Sequence, residues 1–188
     1  LLRETWASKS VGIYYMKRKA FGSKFSLNYG VGLGLEKIGL GDSSTLASQV
    51  TFAGADGDSI ADVGIIPNPE NFRKNKLAIT YLDIPFEFRF HPTGTEEGEG
   101  FFMSAGGILG VRLTSHTKWK YQDNGETVRQ KITGRFNLNN FRYGYQFRLG
   151  FRGVHLFYKQ YLSDVFRDEF ADGSTPTMTT IGINLTGF

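Results

Sequence analysis

The chain has 188 residues, among them 24 Gly and 17 Phe, with a net charge of +4 and no cysteine. That length suits one domain or at most two small ones, and zero cysteine excludes a disulfide scaffold and any thiolate zinc or iron–sulfur site. The basic residues are spread along the chain without a basic helix or recognised motif, so nucleic acid is not an expected partner.

There is no run of about 18 apolar residues, so no transmembrane helix is expected. Leu1-Leu2-Arg3-Glu4 lacks the basic start, apolar core and cleavage site of a signal peptide. The sequence is therefore cytosolic, or else mature or truncated at its start.

In chain order, the first alternating run is Ser10 to Phe21, which is weak. The next, FSLNYGVGLGLE, sets Phe25, Leu27, Tyr29, Val31, Leu33 and Leu35 against Ser26, Asn28, Gly30, Gly32, Gly34 and Glu36. LDIPFEFRF sets Leu82, Ile84, Phe86, Phe88 and Phe90 against Asp83, Glu87 and Arg89. FFMSAGGILGVRL sets Phe101, Met103, Ala105, Leu109, Val111 and Leu113 against Ser104, Gly106, Gly110 and Arg112. FRYGYQFRLGFRG sets six apolar groups from Phe141 to Gly153 against Arg142, Gly144, Gln146, Arg148, Gly150 and Arg152. Val154–Ser163 and Thr177–Phe188 alternate more weakly. A period of two is the signature of a β-strand, so these seven runs predict seven strands. Several reach 11 residues or more, whereas soluble strands average about 5–6 and a tilted crossing of a bilayer takes about 9–11.

The connections alternate in length. Short ones are Gly22-Ser23-Lys24, Pro92–Gly100 and Arg152-Gly153; long ones are about 41–75, 115–134 and 164–174. Outer-membrane barrels show this asymmetry, with short periplasmic turns and long outer loops. Within the middle loop, Asp123-Asn124-Gly125 predicts a hairpin tip where barrel strands continue outward past the membrane.

A soluble lipocalin-like barrel would also alternate, with its apolar face inward. Three features favour the opposite orientation. The polar face is rich in glycine, which a solvated face has no steric need for but a crowded interior does. That face also carries both signs of charge, and the apolar face is bulky almost throughout, as a lipid-facing band would be. The expected lumen charge network is Glu36, Asp83, Glu87, Arg89, Arg112, Arg142, Arg148 and Arg152; the alternative is arginines on a solvated sheet. The expected fold is all-β, an antiparallel up-and-down transmembrane β-barrel in a single domain spanning 1–188. Bacterial barrels use an even strand count, so eight strands are expected and seven are visible. The missing one either precedes Leu1 in the natural protein or is supplied by Ser44–Gly54.

The stretches KLAITYLDIPFEFRF, FFMSAGGILGVRLTSHTKWKYQDNG, NNFRYGYQFRLGFRGVHLFYKQYLSDVF and TIGINLTGF together resemble the small outer-membrane β-barrels of Bacteroidota, grouped as PorT-like or porin-family barrels. Tyr81–Pro85 matches a family motif that opens a lipid-crossing strand. The resemblance covers about residues 8 to 188. It implies an eight-stranded barrel, export, insertion by the outer-membrane assembly machinery, and in some members a role in secretion or larger envelope assemblies. One departure is Phe188, which is out of phase with Ile181, Ile183 and Leu185.

Candidate chemistry is sparse. Ser115-His116 would suit an outer-membrane lipid hydrolase, but sequence neighbours on a strand point to opposite faces. His91 and His155 lack companions at metal-ligand spacing. Gly30–Glu36 matches no phosphate-loop pattern. Asp56, Asp58 and Asp62 alternate in the largest loop, without the ligand series of a calcium loop. Lys118, Lys120, Arg129 and Lys131 flank the hairpin tip as a basic patch for lipopolysaccharide phosphates or a partner. The expectation is a non-enzymatic integral outer-membrane barrel with a side-chain-filled lumen, without metal or cofactor. Outer-membrane lipid, lipopolysaccharide and other envelope proteins are its expected partners, in a structural or accessory role. The alternatives are a narrow channel for ions or small solutes and a lipid-modifying enzyme.

Overall fold

The computed structural model describes residues 8–40, 44–53, 59–67, 72–92, 100–123, 126–134, 136–167 and 176–186. Ten strands are formed: β1 (Lys9–Phe21), β2 (Phe25–Leu40), β3 (Ser44–Ala53), β4 (Ser59–Pro67), β5 (Phe72–Phe90), β6 (Phe102–Asp123), β7 (Glu126–Thr133), β8 (Phe141–Phe151), β9 (Val154–Tyr161) and β10 (Thr179–Leu185). Seven of them make one antiparallel wall in the order β1-β2-β5-β6-β8-β9-β10, curled into a half-barrel. Its edges among the described residues are β1 and β10. The eighth strand expected upstream of Leu1 lies outside the described residues, and so does Phe188.

Ser44–Gly54 does not supply a barrel strand. Ser44–Ala53 form β3, which among the described residues pairs with β4 in a separate two-stranded sheet. The 41–75 connection therefore carries a hairpin of its own, β3 with β4, and β5 begins within it at Phe72. The middle connection matches its expectation: β6 continues to Asp123 and β7 returns alongside it. Most of the Pro92–Gly100 connection lies outside the described residues.

The wall segregates side chains as a period of two demands. On β8, Phe141, Tyr143, Tyr145, Phe147, Leu149 and Phe151 are exposed, while Arg142, Gln146, Arg148 and Gly150 are buried. Exposed Leu82, Ile84, Phe86 and Phe88 on β5, and Ile181, Ile183 and Leu185 on β10, continue the same outward band. One irregularity matters on β6. Thr80 pairs with Thr114 and Tyr81 with Arg112, so Leu113 is an extra residue, a β-bulge. The bulge inverts the phase of the strand, turning Ser115 and Thr117 to the interior in place of the even-numbered positions below it.

At the long-loop end the interior is apolar. Leu77, Ile79 and Tyr81 of β5 pack against Phe136, Leu138, Val165 and Phe166, with Ile38 and Met178 at the margin. Phe136 and Asn137 both take left-handed backbone conformations, with φ of 45° and 48°, uncommon for non-glycine residues and sustained here by the packing around them. Asn139 ties the two covering segments together. Its backbone N–H donates to Val165 O at 3.0 Å, and its Nδ2 donates to Asp164 O and Phe166 O, each at 2.9 Å.

Two adjacent glycines of β6 separate the crowded face from the free one. A Cβ on Gly106 would strike backbone, Phe86 O and Glu87 Cα, whereas one on Gly107 would meet only the Phe86 ring, which is exposed on the outer face. Rings can turn and backbone cannot. Gly106→Ala is expected to cost about 1–3 kcal/mol by overpacking and Gly107→Ala markedly less. Unfolding midpoints in detergent micelles check this, and equal midpoints would contradict the assignment of faces.

Candidate functional site

The interior is organised by one guanidinium. Arg142 projects inward from β8 and reaches across β6 to Asp83 on β5 and Glu36 on β2. Its Nη2 lies 2.7 Å from Asp83 Oδ2 and 2.9 Å from Oδ1, its Nε donates to Oδ1 at 3.1 Å, and its Nη1 donates to Glu36 Oε1 at 3.2 Å. The cation also stacks between two rings, 3.7 Å from the Tyr81 centroid and 4.4 Å from that of Tyr161. Planar stacking and forked donation are what arginine offers and lysine does not.

Glycine makes this arrangement possible. A Cβ on Gly34 would come within 2.6 Å of Asp83 Oδ2 and 2.9 Å of Arg142 Nη2. One on Gly110 would come within 2.5 Å of Asp83 Oδ1 and 2.8 Å of Arg142 Cγ. The ion pair therefore passes directly over hydrogen-only positions, which explains why Gly and Arg share a face.

From Asp83 the network extends to β1 and β9. Tyr14 of β1 donates to Asp83 Oδ2 at 2.9 Å, and Lys159 of β9 donates to Tyr14 OH at 3.1 Å. Lys159 also sits 4.7 Å over the Tyr14 ring.

A second cluster lies nearer the short turns. Glu87 accepts from Ser104 Oγ at 2.8 Å, from Arg89 Nε at 3.1 Å and from Arg148 Nη1 at 3.5 Å, and also pairs with Arg89 Nη2. Arg89 lies 4.3 Å over the Phe102 ring, whose neighbour His155 meets it edge-on at 4.7 Å. The four ion pairs among the described residues all belong to these two clusters.

Of the eight residues expected in the lumen network, Glu36, Asp83, Glu87, Arg142 and Arg148 are buried there, and Arg89 is half-buried beside Glu87. Arg112 stands at the outer end, donating to Ser115 Oγ at 2.9 Å and to Asn140 Oδ1 at 2.6 Å. Arg152 is a correction. It occupies the β8–β9 turn with a φ of 44°, next to Gly153 at 80°, and is exposed with its guanidinium 5.2 Å from the Phe151 ring. Positive φ at both turn residues is the two-residue hairpin geometry that fits the twist of the wall, so the strand ends one residue before Arg152 and its alternation no longer applies.

Tyr14, Lys159 and Tyr161 belong to the site without having been singled out. The phase of Lys159, two residues from Phe157 and four from His155, is the only signal in the sequence. It is weak because both faces of β9 carry aromatic rings.

Ser115 and His116 lie on opposite faces: Ser115 Oγ is buried and donates to Gly134 O at 2.6 Å, while His116 is half-buried on the other side. Gly30–Glu36 lies within β2. No group of three or more metal-ligating side chains occurs among the described residues. Asp56 and Asp58 lie outside them, and Asp62 falls in β4. The basic patch rides on the outer hairpin, where register pairs Lys118 with Lys131 and Lys120 with Arg129.

No curated protein and no solved structure matches the chain. The family model described as "Outer membrane protein beta-barrel domain" matches residues 8–166. That span takes in β1 to β9, both interior clusters and most of the apolar cap. A wall of long strands with an apolar exterior and a charged, glycine-lined interior is what such a domain requires. The chain belongs to the outer-membrane protein β-barrel domain family and is an integral protein of the bacterial outer membrane.

Proposed function

We propose that the protein is a non-enzymatic barrel whose lumen is filled by its own side chains. It would serve as a structural or accessory subunit of a larger envelope assembly through its outer hairpins and lipid-facing wall. The observation that carries this reading is the obstruction of the interior at two depths. Arg142, Asp83 and Glu36 occupy it in the middle, and Phe136, Leu138, Val165 and Phe166 fill it at the long-loop end. A barrel of about eight strands has an interior just wide enough for side chains, and such filling argues against passage of a solute. A narrow channel is the competing reading, favoured by the polar inner lumen of Asn28, Gln146 and Lys159. A lipid-modifying enzyme has less support, since Ser115 and His116 diverge.

Planar-bilayer recording separates these readings. The wild type is expected to be silent, and Phe136→Ser with Phe166→Ser to remain silent or flicker, because the Arg142 bridge persists. Steady conductance from the wild type that changes on Gln146→Ala would replace the filled lumen by a channel. Co-isolation from native membranes in mild detergent tests the accessory role; a barrel that always emerges alone would count against it.

The bridge itself has a predictable energetic signature. Arg142→Met leaves two carboxylates buried without their cation and is expected to cost about 3–5 kcal/mol. Adding Asp83→Leu and Glu36→Leu to that variant should recover most of the loss, because a buried ion pair replaced as a unit by apolar groups is often near neutral. Denaturant midpoints of the single and triple variants check this.

A further inference from the structure

The registers of β1, β2, β5, β6 and β7 gather basic residues that lie far apart in the sequence. Lys9 pairs with Lys37, Lys37 with Ala78, and Ala78 with His116. In the next outward row, Lys76 pairs with Lys118 and Lys118 with Lys131. In the row beyond, Lys74 pairs with Lys120 and Lys120 with Arg129. Cross-strand partners share a face, about 5 Å apart, and successive same-face rows are about 7 Å apart. Lys9, Lys37, Lys118 and Lys131 are exposed and Lys76 is half-buried.

This face is the outer one. Along β5 it continues inward through Thr80 to exposed Leu82, Ile84, Phe86 and Phe88, and along β2 to exposed Leu33, Val31 and Tyr29. The cations thus begin where the apolar band stops, at the long-loop end.

Like charges directly opposite each other weaken a sheet. Here five cross-strand pairs are cation against cation, and the four ion pairs of the described residues do not include Lys9, Lys37, Lys76, Lys118 or Lys131. The crowding is felt locally. The His116 imidazole is held below its ordinary value first by partial burial and then by Lys131, Lys118 and Lys37. Anions placed at this height would relieve the repulsion between the paired cations.

We propose that the outward rim of β2, β5, β6 and β7 binds the phosphate groups of a phosphorylated glycolipid of the outer leaflet, through Lys37, Lys76, Lys118 and Lys131. Lys74, Lys120 and Arg129 extend the same rows farther from the apolar band. A headgroup at this height meets the cations while its acyl chains lie along the aromatic band below. An acidic protein would have to reach the same lysines at the level of the headgroups. The inference does not depend on whether the lumen conducts.

The test compares wild type with the fourfold variant Lys37→Gln, Lys76→Gln, Lys118→Gln and Lys131→Gln, both checked for folding by heat-modifiable migration in gels. Each is extracted from outer membranes in mild detergent, and retained phosphorylated glycolipid is quantified by mass spectrometry. Each basic residue near an anionic surface contributes on the order of a fivefold preference, so retention should fall at least about tenfold in the variant. Replacing the same four positions by arginine should restore it. A second measurement needs no variant: wild type in nanodiscs should be more heat-stable with the phosphorylated glycolipid than with the same glycolipid stripped of phosphate. Equal retention by wild type and variant, or equal stability with and without phosphate, would overturn the proposal. So would loss of a co-purifying acidic protein with glycolipid retention unchanged.

Discussion

A strand that crosses hydrocarbon has no water to turn to, so its backbone N–H and C=O groups must pair with neighbouring strands and its charges must pair with one another. Everything else in this wall answers to that constraint. Long antiparallel strands satisfy the backbone, and strict alternation then sends one set of side chains to lipid and the other to a narrow interior. Bulk is free on the outside, which is why Phe, Tyr, Leu and Ile accumulate there. Inside, each charged group needs a partner and each partner needs room. The Arg142–Asp83 pair obtains that room from Gly34 and Gly110.

The interior solves its polar problem differently at different depths. In the middle and towards the short turns, arginine, carboxylate, tyrosine and lysine form connected clusters. Towards the long loops the filling is apolar, built from Leu77, Ile79 and Tyr81 and from residues of two connecting segments. Tyr81 joins the regimes, since its ring packs in the apolar cap and also stacks on Arg142. Buried ion pairs add little net stability compared with apolar filling but are costly to break singly. The clusters therefore are no source of large net stability, and the apolar cap holds the buried hydrophobic cluster of the described residues.

Much of this was legible in the sequence because a period of two leaves little freedom. Once Phe141, Tyr143, Tyr145, Phe147 and Leu149 are taken as one face, Arg142, Gln146 and Arg148 must share the other, and both facts hold in the structure. The limits of that reasoning lie where periodicity breaks. Arg152 keeps the phase of β8 but stands in a turn, where alternation has no meaning. The Leu113 bulge shifts β6 by one residue, and no composition signal marks it. Phe136, Leu138, Val165 and Phe166 lie in connections that alternation cannot read, so an apolar cap was invisible before the chain was folded. The basic rim was partly visible as Lys118, Lys120, Arg129 and Lys131, but its contributions from Lys37, Lys74 and Lys76 depend on cross-strand register.

The central claim is the direction of the two faces, and the absence of cysteine makes it directly measurable. Single cysteines at Tyr145, Gln146, Phe147 and Leu149 can carry nitroxide labels in the protein reconstituted in bilayers. Collision with oxygen, which concentrates in hydrocarbon, should dominate at 145, 147 and 149, whereas the label at 146 should be shielded from oxygen. Inverted periodicity, or strong collision with a water-soluble nickel reagent at 145, 147 and 149, would show that the aromatic face is not the one that meets lipid.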